Sequence, residues 1–389
     1  MKLAFAVPLL LTLPLMGCGG SSGASFATDM CQELSSDTFS CTTMLQDVTA
    51  VTQQTVATLK TDITQLNSDI TSYCAVQTAG NLQTAQTQWS TTLATVQQME
   101  VMQFDVIDSA RDNFYNWPSN DTCKVDLQIA TNPNQDITGV ATGRRGLNAV
   151  EYILFEEDTL ASCATLYSSV EDWAESNSPD QRKQARCDYA QLVTADLVDR
   201  ASSLAIELSN QDLAGQPGSL QAAANSISDA LFYVDKQTKD AKLINVLPQT
   251  GDADFKATSL ESQFAHTSKE HIQNNLLGAR AIFTANDETG LEDYLIAAGQ
   301  EQLAIDMLAA LDAASANLDS IVGDFHTAVS NATDQSACIN SAAYDADDSD
   351  IIKVCALQKS LKAFTDLLKE DFVMVLKFTK PAAADGDND

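Results

Sequence analysis

The chain has 389 residues, of which 53 are acidic and 22 basic, giving a formal charge of -31. Such a balance repels phosphate backbones and anionic headgroups, which excludes nucleic acid as a natural partner, although it enriches cations near the surface. Hydrophobic residues make up 44% of the sequence, enough for a sizeable core or two and too many for a disordered stalk.

The first element is a leader over residues 1–17. Lys2 precedes an apolar run from Leu3 to Met16 that is too short to span a bilayer comfortably, and Leu15-Met16-Gly17-Cys18 has the form of a bacterial lipobox. Cleavage before Cys18 and acylation of that residue would give a lipid anchor instead of a membrane span. Residues 18–30, with GGSSGAS after the cysteine, read as a flexible tether that holds the folded part off the membrane. Gly19 after the cysteine points to outer-membrane sorting, facing the periplasm or the surface, if the host has two membranes. Once Cys18 is lipidated, eight cysteines remain in an oxidising compartment. Nearest-neighbour pairing predicts Cys31 with Cys41, Cys74 with Cys123, Cys163 with Cys187, and Cys338 with Cys355, although sequence does not fix connectivity.

Residues 31–211 are predicted as a first helical bundle. Leu45, Val48, Val51, Leu59, Ile63, Leu66 and Ile70 recur at helical spacing in a segment otherwise rich in Thr, Gln and Asp. QQMEVMQF at 97–104 places Glu100 in an apolar stretch, NWPSND at 116–121 reads as a turn, and GLNAVEYILF at 146–155 places two polar groups on one helix face. Asn148 and Glu151 are three residues apart, and a carboxylate among aliphatic and aromatic neighbours needs a hydrogen bond, an ion pair or a metal. Composition alone predicts an interfacial charge paired with Arg144 or Arg145.

DLAGQPGS at 212–219 is the best single break, and residues 220–380 are predicted as a second bundle whose stripe includes Leu303, Met307, Leu311, Leu318 and Ile321. GLEDYLIAA at 290 echoes GLNAVEYIL at 146, a hint of internal duplication. His266 and His271 do not match H-E-x-x-H and are read as surface histidines, and His326 stands alone with a packed or solvated role. DADDSD at 345–350 lacks the glycine and glutamate offsets of a calcium loop and reads as a solvated acidic loop. Trp89, Trp117 and Trp173 are expected at helix junctions, and residues 381–389 as an acidic tail. The sequence has no G-x-S-x-G and no thiol beside a histidine.

Taken together, QQMEVMQF, NWPSND, GLNAVE, LESQFAHTS at 260–268, NNLLGARAIFTA and GLEDYL resemble, in order and spacing, the imelysin-like family of exported or lipid-anchored helical proteins. That family's hallmark is Gly-x-His-x-x-Glu; here Gly146 and Glu151 are kept and Asn148 replaces the histidine. The resemblance implies an all-α fold of two four-helix bundles. It also implies a metal site built from Glu100, Asn148 and Glu151, with Asn120 or Asp121 as a further member. Oxygen donors of this kind suit iron, calcium or magnesium better than zinc. An asparagine offers a carbonyl oxygen but cannot act as a general base. The preferred expectation is therefore a non-enzymatic envelope lipoprotein that binds iron, or a metal-bearing partner, in iron uptake. The alternatives are a metallopeptidase of the imelysin type, or a structural or adhesive lipoprotein whose site has decayed to a hydrogen-bonded pair.

Overall fold

The computed structural model describes residues 30–376 apart from 109, 120, 132–136, 138, 157–165, 216–218, 251–252 and 341–342. The leader with Cys18, together with Asn120, Cys163 and the acidic tail, lies outside the described residues. Within them the fold is all-α, with no strand.

The helices of seven or more residues in the first half are α1 (Cys41–Ala75), α2 (Ala79–Glu100), α3 (Thr122–Thr131), α4 (Leu147–Phe155), α5 (Ser168–Ser176) and α6 (Pro179–Ser209). Those of the second half are α7 (Leu220–Tyr233), α8 (Ser268–Thr284), α9 (Leu291–Ala297), α10 (Glu301–Ser320) and α11 (Asp350–Leu367). Local chemistry sets several of the starts. Ser40, Thr78 and Ser219 cap α1, α2 and α7 with their hydroxyls, and α6 opens on a capping box between Ser178 and Gln181 followed by Pro179. α7 runs on as a π-helical segment, Val234–Ile244, that carries four buried charged side chains.

The predicted stripe of α1 is its core face: Leu45, Val48, Val51, Leu59, Ile63, Leu66 and Ile70 are all buried. On the outer face Thr55, Thr58, Thr61 and Thr64 turn their hydroxyls back to the carbonyls four residues earlier, so the polar residues burden neither core nor backbone. α1 packs along α2 and α6, α4 lies against α2 and α6, and in the second half α10 packs on α8, α9 and α11. α2 also packs along α8, so it touches both halves, and the buried apolar residues form one continuous core. The expected break is where α6 ends and α7 begins, between Ser209 and Leu220.

The disulfides correct part of the nearest-neighbour pairing. Cys31 joins Cys41 and Cys338 joins Cys355 as expected, but Cys74 joins Cys187, not Cys123. The reason is antiparallel packing of α1 on α6. From the Cys74–Cys187 bond, seven residues back along α1 and seven forward along α6, Thr194 donates to Asn67 Oδ1 at 2.9 Å. Further along, Gln53 donates to the Leu208 carbonyl at 3.1 Å. Two helices that close in space but lie far apart in the chain bring their cysteines together. The expected Cys163–Cys187 pair is excluded by the same bond, and Cys123 is itself disulfide-bonded.

Candidate functional site

The helix bearing the signature is built first from a close backbone approach. Gly146 caps α4 in an extended conformation (φ -106°, ψ -174°) that any residue can adopt, but a Cβ there would meet the Asn148 Oδ1 at 2.6 Å and the Phe114 carbonyl oxygen at 2.8 Å. Glycine is required by space, not by dihedral angle. Asn148 is buried; its Nδ2 donates to the Gly143 carbonyl at 2.9 Å, bracing the turn before the helix, while its Oδ1 makes no hydrogen bond. The Trp89 indole of α2 donates to the Leu147 carbonyl at 2.9 Å and fixes α4 to that helix.

Glu151 is fully buried, not the interfacial charge that composition predicted, and its partners are not Arg144 or Arg145. Arg145 turns to the Ile137 carbonyl at 2.8 Å and to Asp196 at 3.8 Å. Glu151 instead reaches into the second half. Its Oε1 accepts from the Ser262 hydroxyl at 2.9 Å and from the backbone N–H groups of Phe264 (3.1 Å) and Ala265 (3.0 Å). Burial raises its carboxyl above the usual range, against the pull of these three donors and of His271. The turn it holds contains two residues in the left-handed region, Ser262 and His266, each with φ 57°.

From Ser262 a polar chain runs through the core. The Ser262 and Thr267 hydroxyls lie 2.8 Å apart, and Thr267 Oγ1 is 3.0 Å from His271 Nε2. His271 Nδ1 is 3.0 Å from Glu261 Oε2, which is also 3.0 Å from Lys242 Nζ. Lys242 in turn reaches Glu100 Oε2 at 3.2 Å, where the Tyr233 hydroxyl donates at 2.6 Å, and Arg111 Nε lies 3.5 Å from Glu100 Oε1. Gln97 and Asn275 fill the remaining positions: Gln97 Nε2 donates to Glu261 at 3.1 Å and Lys242 donates to Asn275 Oδ1 at 2.8 Å. Burial pushes the Glu261 carboxyl up, but Lys242 and His271 outweigh it and hold the group down at about 2. Tyr115 sits among the three carboxylates, packed edge-on against His271; burial first, then Glu261, Glu151 and Glu100, keep its phenol protonated.

Glu100 and Glu151 are thus parts of one buried network, linked through groups that arrive mainly from the second half. Asp121 is not in it; that side chain is partly exposed and pairs with Lys124 at 2.7 Å. Asn120 lies outside the described residues. His271, read from sequence as a surface residue, is buried, because α8 turns that face onto α2. Glu261, Lys242 and Tyr233 had no local signal: Lys242 and Tyr233 meet Glu100 from more than a hundred residues away, Glu261 meets Lys242 and His271 only through the turn that follows it, and for Lys242 alone the buried π-helical run of charges is a hint.

In chemical terms, each carboxylate is already matched. Glu100 faces Arg111 and Lys242, Glu261 faces Lys242 and His271, and Glu151 takes three hydrogen bonds on one oxygen. Such an arrangement fixes two halves against each other, since unpairing any buried charge is costly.

Among curated proteins none matches the chain. Two solved structures share its fold: an imelysin-like protein from Psychrobacter arcticum, at 16% identity with 88% of this chain and 98% of that one covered (TM-score 0.62), and a protein from Parabacteroides distasonis named as an iron-regulated protein A precursor, at 15% identity with 86% and 95% covered (TM-score 0.61). A family model described as Imelysin matches residues 52–349. With that match spanning most of the chain, and a solved imelysin-like structure sharing its all-α fold, the chain belongs to the imelysin family.

Proposed function

We propose that this is a non-hydrolytic, lipid-anchored envelope protein that works in iron handling, and that its signature glutamate is a joint between the two halves. The observation that carries the reading is the state of Glu151: one oxygen accepts three protein donors, and the neighbouring motif position is an asparagine. A hydrolytic metal centre needs defined ligands, an open coordination position and a base for water. Asn148 cannot be that base, and Glu151 is committed to the Ser262–Ala265 turn.

The same geometry bears on the expected oxygen-ligand set of Glu100, Asn148, Glu151 and Asp121. The buried Asn148 Oδ1 is free to accept, but Glu100 and Glu261 carry counter-cations from the chain itself. A metal ion among them would have to displace Lys242, and Asp121 is turned away to Lys124. The residues present therefore fit a resident metal poorly at this point. The lipobox ending in Cys18 and the tether behind it support the anchor. The likeness to a protein named as iron-regulated supports the iron-linked role.

Incubation of the full chain with an unfolded protein substrate, with and without divalent metal, should give no cleavage. Metal-dependent cleavage abolished by Glu151→Gln would overturn the reading in favour of a metallopeptidase. Mass spectrometry of the N-terminal peptide should find Cys18 as a lipid-modified first residue, and a strain lacking the protein should grow poorly only when iron is limiting.

A further inference from the structure

The chain contains three histidines, and two of them meet. His266, just before α8, and His326, in the short helix Phe325–Ser330, stack with ring centroids 4.0 Å apart and planes within 10°. His326 therefore does not stand alone, as its sequence context suggested. Asp324 lies beside both: its Oδ1 is 4.0 Å from His266 Nδ1, and one ligand atom from each of the three residues lies within 4.8 Å of the others. All three side chains are half-buried, and no other group of three such residues converges in this way among the described residues.

We propose that His266, Asp324 and His326 bind a divalent first-row transition-metal ion. Two imidazoles and one carboxylate form a donor set for Zn2+ or Fe2+, whereas Ca2+ and Mg2+ prefer oxygen alone. Metal–ligand bonds of about 2 Å need donors closer than those found, by roughly 1 Å. Partly exposed side chains can make that adjustment by small rotations. Three protein ligands leave a further position open toward solvent, as suits an ion that is loaded and released.

The surroundings of the three ligands are built, not incidental. Asp324 Oδ1 accepts from the Thr327 N–H at 2.8 Å and its Oδ2 from the Thr327 hydroxyl at 2.9 Å, which orients the carboxylate from behind. Lys269, at the start of α8, donates to the Ile321 carbonyl and ties the two ligand-bearing segments together. His266 holds a left-handed conformation that a non-glycine residue keeps only when its surroundings enforce it, and its N–H donates to the Ser262 carbonyl at 3.0 Å. The group that enforces it is Glu151, bonded to Ser262, Phe264 and Ala265 immediately before. The signature glutamate is thus a positioning residue for a ligand it does not touch. This assignment goes beyond the non-hydrolytic reading and stands or falls separately from it.

The test is calorimetric titration of the full chain in detergent, freed of metal by chelation, with Zn2+ in the presence of excess Ca2+ that occupies the acidic surface. One Zn2+ should bind per chain. His266→Ala and His326→Ala should each weaken binding by at least roughly 100-fold, since even outer groups at metal sites are worth 10–100-fold. Both side chains are partly exposed, so the metal-free variants should melt like the wild type. Glu151→Gln should weaken Zn2+ binding several-fold with no loss of stoichiometry, an effect expected of positioning and not of ligation. Co2+ in place of Zn2+ should give a visible absorption band in the wild type that His326→Ala removes. Stoichiometric binding that survives in the double variant His266→Ala/His326→Ala, or that Ca2+ abolishes, would overturn the proposal, as would no binding at all. None of these outcomes bears on the peptidase assay.

Discussion

Helices α4 and α9 begin in the same way in the two halves of the molecule and end up doing different work. Gly146 and Gly290 cap them with nearly the same backbone, φ -106° and ψ -174° against φ -113° and ψ -169°. Each glycine is pressed against the carbonyl of a phenylalanine, Phe114 or Phe283, and each has the side chain two residues on, Asn148 or Glu292, folded back over it. Leu147 and Leu291 follow, both fully buried. The fifth position after the glycine separates them: Glu151 in α4 and Leu295 in α9, both buried. The backbone device is therefore a packing element common to both halves, and one substitution converts a core position into a carboxylate that holds the other half's turn.

Five exchanges break or sharpen that comparison. The largest effect is expected from Leu295→Glu, which gives α9 the residue of α4 without a turn to receive it. A buried carboxylate with no donors should cost on the order of 5 kcal/mol, enough to unfold the second half in a urea titration. The reverse exchange, Glu151→Leu, leaves the Phe264 and Ala265 amides without an acceptor and the Ser262 hydroxyl with only Thr267 to turn to. About 3 kcal/mol should be lost in the same measurement, because abandoned donors cost roughly 1–3 kcal/mol each when buried and these are partly so. Gly146→Ala and Gly290→Ala should each cost about 2 kcal/mol through displacement of the phenylalanine carbonyl, and the similarity of the two losses tests the common packing.

The smallest effect depends on pH. Glu292 occupies the place of Asn148, and burial, with Asp293 and Asp287 adding to it, pushes its carboxyl from 4.5 up to about 8. The folded state keeps the proton to higher pH than the unfolded chain does. Its contribution is complete below about pH 4.5 and is lost as pH rises toward 8. Between these limits the wild type should lose stability relative to Glu292→Gln, by on the order of 1–2 kcal/mol after allowance for partial solvent screening. Urea titrations of both proteins at the two ends of that range decide it. A constant difference would mean that Glu292 titrates alike in the folded and unfolded chain, as a surface glutamate would.

The all-α architecture was legible because the information was local. The α1 stripe follows from residue spacing and is buried as read, and the Gly- and Pro-containing stretch at 212–219 falls between the end of α6 and the start of α7. The apolar neighbours of Glu151 marked a carboxylate that needs a partner, but its complete burial was not read from them. Its partners were not legible, because Arg144 and Arg145 are near in sequence while Ser262, Phe264 and Ala265 are near only after folding. His271 failed for a related reason: a polar run, HTSKEH, reads as exposed until α8 is known to pack on α2. Cys74 and Cys187 belong to the same class, since helix antiparallelism, not chain proximity, pairs them. The stacked pair of His266 and His326 could not be found from spacing at all, for one member owes its position to a left-handed turn.

The central claim is that Glu151 holds the Ser262–Ala265 turn across the junction of the halves. Hydrogen exchange at the amides of Phe264 and Ala265 tests it directly, because Glu151 Oε1 is the acceptor for both. In Glu151→Leu these two amides should lose at least about tenfold more protection than amides in the middle of α8, as expected for local opening with the helix intact. Equal loss at both places, or unchanged protection at Phe264 and Ala265, would contradict the account.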